Sequence, residues 1–154
     1  MTVSRLLVLV ILIGTALYPS VFDSAQDPLI LFLLPPESLH CPACLDGLLD
    51  ICRRLSPQDL SRRCRAIVIA VGGDSGRIDS LSLNRSRRMI QGLFDAEGIP
   101  VPVLVDGLSV LEEASSRGAL LLFDGRESLL RCFAFPLSDG ETELILRSFR
   151  DQDG

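Results

Sequence analysis

The residues of this chain best suited to chemistry are the two thiols of Cys41-Pro42-Ala43-Cys44. A thiolate at the first can attack a disulfide sulfur, and the second, lying close by, can displace it from the mixed disulfide that results. Cys41 therefore takes the attacking role and Cys44 the resolving one. His40, the single histidine, stands immediately before Cys41. An imidazolium there would stabilise the thiolate; the plain alternative is a solvent-facing loop residue. Glu37 could relay a proton to Cys44 or be only a loop carboxylate.

Such a pair must be held on the opening turn of a helix, where unpaired N–H groups and the positive end of the macrodipole favour thiolate over thiol. The sequence supplies that helix. Leu45, Leu48, Leu49, Cys52 and Leu55 recur at the spacing of an amphipathic stripe that starts at about Cys41. Pro42 suits the first helical position, where its missing N–H loses little. Ahead of the motif runs the unbroken apolar stretch Leu29 to Leu34, read as a buried strand, joined to the helix by Pro35-Pro36-Glu37-Ser38-Leu39-His40.

Further along, Ser56-Pro57-Gln58-Asp59 predicts a capped extra turn. Ala66 to Val71 does not alternate and so predicts a central parallel strand buried on both faces. A loop at Gly72 to Gly76 leads to a helix marked by Met89, Ile90, Leu93 and Phe94 and closed by Gly98 in the left-handed conformation. Val101 to Val105 predicts a third strand and Val110 to Ala114 a short helix. Ala119 to Phe123 and Leu129 to Phe135 predict a hairpin around Asp124-Gly125. Ser138-Asp139-Gly140-Glu141 spells a capping box for a last helix, whose buried face is Leu144, Ile145 and Phe149.

The 154 residues have room for one domain, placed at 27–150, with a tail at 151–154 and an N-terminal segment at 1–26. The chain is 47% hydrophobic, with a mean hydropathy of +0.36, and part of that excess lies in Leu6 to Phe22. This nearly uncharged run of about 17 residues is at the short limit of a membrane-spanning helix. A cleaved signal peptide is the alternative, with Gly14-Thr15-Ala16 as small residues for cleavage. The run continues beyond them to Phe22, which favours an uncleaved anchor. Arg5 before the run, with Asp23 and Asp27 after it, places the domain outside the cytoplasm, anchored in the membrane or, after cleavage, secreted. All fifteen basic residues are arginine, and the net charge is −5. The clusters Arg53-Arg54, Arg62-Arg63 with Arg65, and Arg85 with Arg87-Arg88 read as solvated faces and helix ends, and a nucleic-acid partner is not expected.

Three cysteines lie outside the motif. Cys52, Cys64 and Cys132 each read as a small buried hydrophobe, and Cys52 with Cys64 could bridge in an oxidising compartment. A metal site using His40, Cys41, Cys44 and either Cys52 or Cys64 is opposed by geometry. Cys52 falls roughly 12 Å along the helix axis from Cys44. A peroxidase could use Ser38, three residues before Cys41. Haem attachment would need a histidine where Leu45 stands.

The order β-α-β-α-β-(α)-β-β-α, with Cys41-Pro42-Ala43-Cys44 between a buried strand and a helix, resembles the thioredoxin-like fold. In particular it resembles the membrane-anchored thiol–disulfide oxidoreductases of the bacterial envelope related to the cytochrome c maturation thioredoxins. The resemblance covers about Pro28 to Phe149. It implies an α/β fold with a central mixed sheet flanked by helices, and Cys41 and Cys44 as catalytic residues. It implies protein disulfides or dithiols as substrates, an upstream electron-transfer partner, and no cofactor. It also implies a reactive groove with a cis-proline just before the first hairpin strand. That position falls at Arg117-Gly118-Ala119, where there is no proline; Pro42, Arg117 and Gly118 are the groove candidates. The family's tryptophan before the first cysteine is replaced by His40. A thioredoxin-like binding module without turnover is therefore the rival reading.

Overall fold

The computed structural model describes residues 28–69, 80–106, 118–123 and 129–150. Strand β1 (Leu29–Leu34) is followed by a 3-10 turn (Pro36–His40), helix α1 (Pro42–Arg54), helix α2 (Pro57–Arg63), strand β2 (Cys64–Ile69) and helix α3 (Ser80–Glu97). Strands β3 (Val103–Asp106), β4 (Ala119–Phe123) and β5 (Leu129–Ala134) and helix α4 (Asp139–Arg150) complete it. The expected loop at Gly72 to Gly76, the short helix at 110–114, the hairpin turn at Asp124-Gly125 and the whole of 1–26 lie outside the described residues. Among the described residues no helix is long and apolar enough to cross a membrane.

The five strands form one sheet in the order β3-β2-β1-β4-β5. As expected from its unbroken apolar run, β1 is buried along all six residues; it also takes the central place in the sheet, with β2, expected to be central, beside it. It pairs parallel with β2 from Ile30↔Cys64 to Leu34↔Val68, and antiparallel with β4 from Leu29↔Phe123 to Leu33↔Ala119. β2 pairs parallel with β3, and β4 antiparallel with β5. The second strand begins at Cys64, two residues earlier than its apolar run suggests.

The crossovers β1-α1-β2 and β2-α3-β3 step in the same direction across the sheet. Because such connections are right-handed, both helices must lie on one face. Side chains from both enter a single core. Phe32 and Leu34 of β1, Leu48 and Ile51 of α1, and Ile90 and Phe94 of α3 belong to it, together with Ile145 and Phe149 of α4. Each fully buried side chain of that size contributes about 1.5–3 kcal/mol relative to exposure. The alternate residues Leu31, Leu33, Ile67, Ile69 and Leu121 are buried too.

Local signals set the helix ends. Leu55 closes α1 with its N–H on the Ile51 carbonyl (3.2 Å), and Pro57 holds Ser56 extended. Ser56 then caps α2 by accepting the Asp59 N–H at 3.1 Å, and α2 continues for seven residues, longer than the single turn expected. Gly98, at φ +67°, ends α3 as expected; its N–H reaches the Asp95 carbonyl (3.2 Å) and that of Ile99 the Phe94 carbonyl (2.8 Å).

The capping box of α4 forms in full: the Ser138 N–H and hydroxyl donate to Glu141 Oε2 at 2.8 and 2.7 Å, and the Glu141 N–H donates to Ser138 Oγ at 3.3 Å. The Ser138 donors, backbone first, lower the Glu141 pKa. A carboxyl whose folded pKa is depressed stabilises above its unfolded pKa, and loses that contribution as pH falls through the folded value. Ser138→Ala should cost about 1 kcal/mol at pH 7 and clearly less at pH 3. Urea unfolding at the two pH values measures this; equal costs would remove the role given to the carboxylate.

Candidate active site

Cys41 and Cys44 meet at the start of α1 as a disulfide, with their Cα atoms 5.3 Å apart. Cys41 is the N-cap, with φ −110° and ψ 95°, and its carbonyl already accepts the Cys44 and Leu45 N–H groups at 3.0 and 3.2 Å. Pro42 follows at the first helical position, exposed like Ala43. Cys41 is half-buried at the edge of the core whereas Cys44 is 3% exposed, so the first cysteine is the more accessible of the two. This asymmetry suits the attacking and resolving roles.

The approach to the motif is fixed by its own hydrogen bonds. Ser38 is buried, and its N–H and hydroxyl both donate to the Pro35 carbonyl, at 2.9 and 2.6 Å. The Cys41 N–H donates to the Ser38 carbonyl at 3.2 Å. Ser38 is thus a structural residue of the turn, with its hydroxyl directed at the backbone, which removes the ground for a peroxidase. His40 ends the turn, exposed, next to Cys41, and Glu37 is also exposed.

The groove position holds Gly118, at φ +95°, at the start of β4; Arg117 lies outside the described residues. A Cβ on Gly118 would lie 2.6 Å from the Leu33 carbonyl oxygen, 3.3 Å from Pro35 Cδ and 3.4 Å from Phe135 Cδ2. On the other side, a Cβ on Gly47 of α1 would lie 4.0 Å from Phe135 Cδ1. The buried Phe135 ring thus sits between α1 and the start of β4. Its peptide bond to Pro136 is the cis X-Pro bond of the described residues, at the exit of β5 and not ahead of β4. Gly47, Phe135 and Pro136 were missed in the sequence. The available signals were a glycine inside an amphipathic helix and a Phe-Pro pair after a strand.

The remaining cysteines divide. Cys52 and Cys64 are buried in the core as expected, and both are free. Burial pushes the Cys52 thiol up to about 12 and the Cys64 thiol higher still, the latter also raised by Cys52 and Asp59. Cys132 corrects the expectation of a buried hydrophobe: β5 is an edge strand, and this thiol is exposed. Among the described residues no cluster of three or more His, Cys, Asp or Glu is arranged to hold a metal ion. Iodoacetamide at pH 8 should therefore label Cys132 in the oxidised chain and Cys41 as well after reduction. Cys52 and Cys64 should react only in denaturant. Native labelling of either, read by peptide mass spectrometry, would contradict their placement.

No protein-family model matches this chain, and no curated protein does. Solved structures do resemble it. An uncharacterised thioredoxin-like protein from Porphyromonas gingivalis aligns with a TM-score of 0.54 at 19% identity, over 84% of this chain and 76% of that one. A thioredoxin-like protein from Aeropyrum pernix gives 0.53 at 22% identity, over 84% and 81%. A thiol:disulfide interchange protein of the thioredoxin family from Chlorobium tepidum gives 0.52 at 14% identity, over 82% and 81%. The fold of this chain is thioredoxin-like.

Proposed function

We propose that this chain is a thiol–disulfide oxidoreductase that exchanges electrons with protein disulfides or dithiols through Cys41 and Cys44. We place it outside the cytoplasm of a bacterium, held at the inner membrane by segment 1–26, with an upstream partner that resets the pair. The observation that carries the reading is the Cys41–Cys44 disulfide at the start of an amphipathic helix, with the first cysteine more accessible than the second. The apolar run Leu6 to Phe22 supports the location.

In the reduced chain, Cys41 occupies the N-cap, where a side-chain acceptor ordinarily takes the N–H of the second or third helical residue. A Cys41 thiolate can accept from Ala43 or Cys44 there, and the macrodipole adds to its stabilisation. It attacks a substrate disulfide sulfur; the substrate S–S bond breaks, and the departing sulfur leaves as a thiolate that takes up a proton. Cys44 then loses its proton and attacks the Cys41 sulfur, releasing the second substrate thiol and closing the Cys41–Cys44 bond. Two electrons pass from chain to substrate, and the reverse sequence oxidises a dithiol. The reduction potential of the pair sets the direction. His40, one residue from the nucleophile, tunes that potential in this reading.

One observation favours the rival binding module: Gly118 stands where the family resemblance implies a cis-proline. Equilibration of the full chain in detergent with graded glutathione buffers, followed by alkylation and mass spectrometry, separates the two. A reversible two-electron transition confined to Cys41 and Cys44 supports the oxidoreductase, and no transition supports the module.

A further inference from the structure

The large apolar side chains exposed among the described residues are Leu81, 79% exposed, and Met89, 52% exposed, both on α3. At 100° per residue, Leu81, Arg85, Arg88 and Met89 fall within one arc of roughly 100°. Leu83, Ser86, Ile90 and Phe94 occupy the opposite, buried face. The stretch Ser80 to Ile90 carries three arginines and no acidic residue, in a chain of net charge −5. Arg53, Arg54 and Arg63 each hold a carboxylate. Arg85, Arg87 and Arg88 are paired with no carboxylate among the described residues.

The topology brings this face to the disulfide. β1 and β2 are parallel and end together, and α3 runs back from that end, so its first turns lie beside the motif. Its last residue, Glu97, meets Arg53 at the far end of α1. α3 also packs against the Pro36–His40 turn that leads into Cys41. The Leu81–Arg85 face thus belongs to the end of α3 that lies on the motif's side of the sheet, within reach of a protein bound at Cys41.

We propose that this face of α3 is the docking surface for the redox partner, and that the partner presents its disulfide beside an acidic segment. The inference rests on the oxidoreductase reading and names the substrate class for it. Leu81 supplies an apolar anchor. Arg85 and Arg88 supply charge complementarity that speeds encounter and disfavours basic partners.

The test uses the full chain, reduced and freed of reductant, with synthetic peptides that each bear one intramolecular disulfide flanked by Glu, Lys or Ser. Rates are normalised to those of the same peptides with dithiothreitol. The Glu-flanked peptide should react about tenfold faster than the Lys-flanked one at low ionic strength, and the preference should collapse at high salt. Arg85→Glu with Arg88→Glu should invert the order, and Leu81→Ser should slow all three peptides. Unchanged rates with hydroxyethyl disulfide would show that the variants are folded and chemically intact. Equal rates for the three peptides overturn the proposal. They do so equally where the double reversal alters only partition between anionic and zwitterionic vesicles, which assigns the face to lipid. Failure of every disulfide, hydroxyethyl disulfide included, overturns the oxidoreductase reading and this inference with it; failure of charge selectivity alone overturns only the inference.

Discussion

The Cys44→Ser variant should accumulate a covalent complex with its substrate through Cys41, seen as a reductant-sensitive band on gels, whereas Cys41→Ser should form none. Cys41 is the more accessible cysteine of the pair, and its attack leaves a mixed disulfide that only a neighbouring thiol resolves quickly; Cys44 is that neighbour. Exchange by Cys41→Ser should fall on the order of a thousandfold or more, because a hydroxyl at the N-cap stays protonated and is a poor nucleophile there. Serine is also a good N-cap, so the loss is chemical and not a failure to fold. Trapping through Cys132, the other exposed thiol, would sink the assignment, and a Cys132→Ser background keeps the reading clean.

The second large effect concerns Gly118. Gly118→Ala should destabilise by about 2–4 kcal/mol, of which about 1–2 comes from the left-handed backbone and the rest from the Leu33 carbonyl oxygen. That oxygen belongs to the central strand and cannot swing aside as a side chain could. In urea the midpoint should drop by about 1–2 M. Gly92→Ala makes the contrast: it lies inside α3 with open space around a Cβ, and should stabilise by about 0.5–1 kcal/mol. Equal effects at the two positions would show that the close approach at Gly118 does not matter.

Which features were legible in the sequence follows from how local their causes are. Unbroken apolar runs mark β1 and β2 because strands buried on both faces have no polar side, and the Ser138 box and Gly98 cap are complete within a few residues. The motif helix was legible for the same reason: Leu48, Leu49 and Cys52 are buried as the stripe implies, joined by Cys44 and Ile51, while Leu45 is half-exposed. Met89 marks the helix correctly but lies off its packed face, which runs through Leu83, Ser86, Ile90 and Phe94. The first turns of α3 are polar and carry little apolar period, so the start at Ser80 was hidden. Cys132 was misplaced because an apolar strand does not announce that it will lie at a sheet edge. The setting of Phe135 between Gly47 and Gly118 joins three segments distant in sequence, and no local pattern encodes it.

The last turn of α1 is tied on both sides. Arg53 Nη2 meets Glu97 of α3 and Arg54 Nη1 meets Glu143 of α4, each at 2.8 Å, while the first turn ends at the Cys41–Cys44 bond. Each exposed pair contributes no more than about 1 kcal/mol, so their importance is positional. Mechanically the helix is a cantilever, clamped at one end and carrying its tool at the other. The sulfur–sulfur bond lies at the opposite end of the helix from these pairs, next to the Pro36–His40 turn. Neither pair includes a motif residue, so the bonds that tie the far end of the helix to its neighbours are separate from the bond that opens and closes.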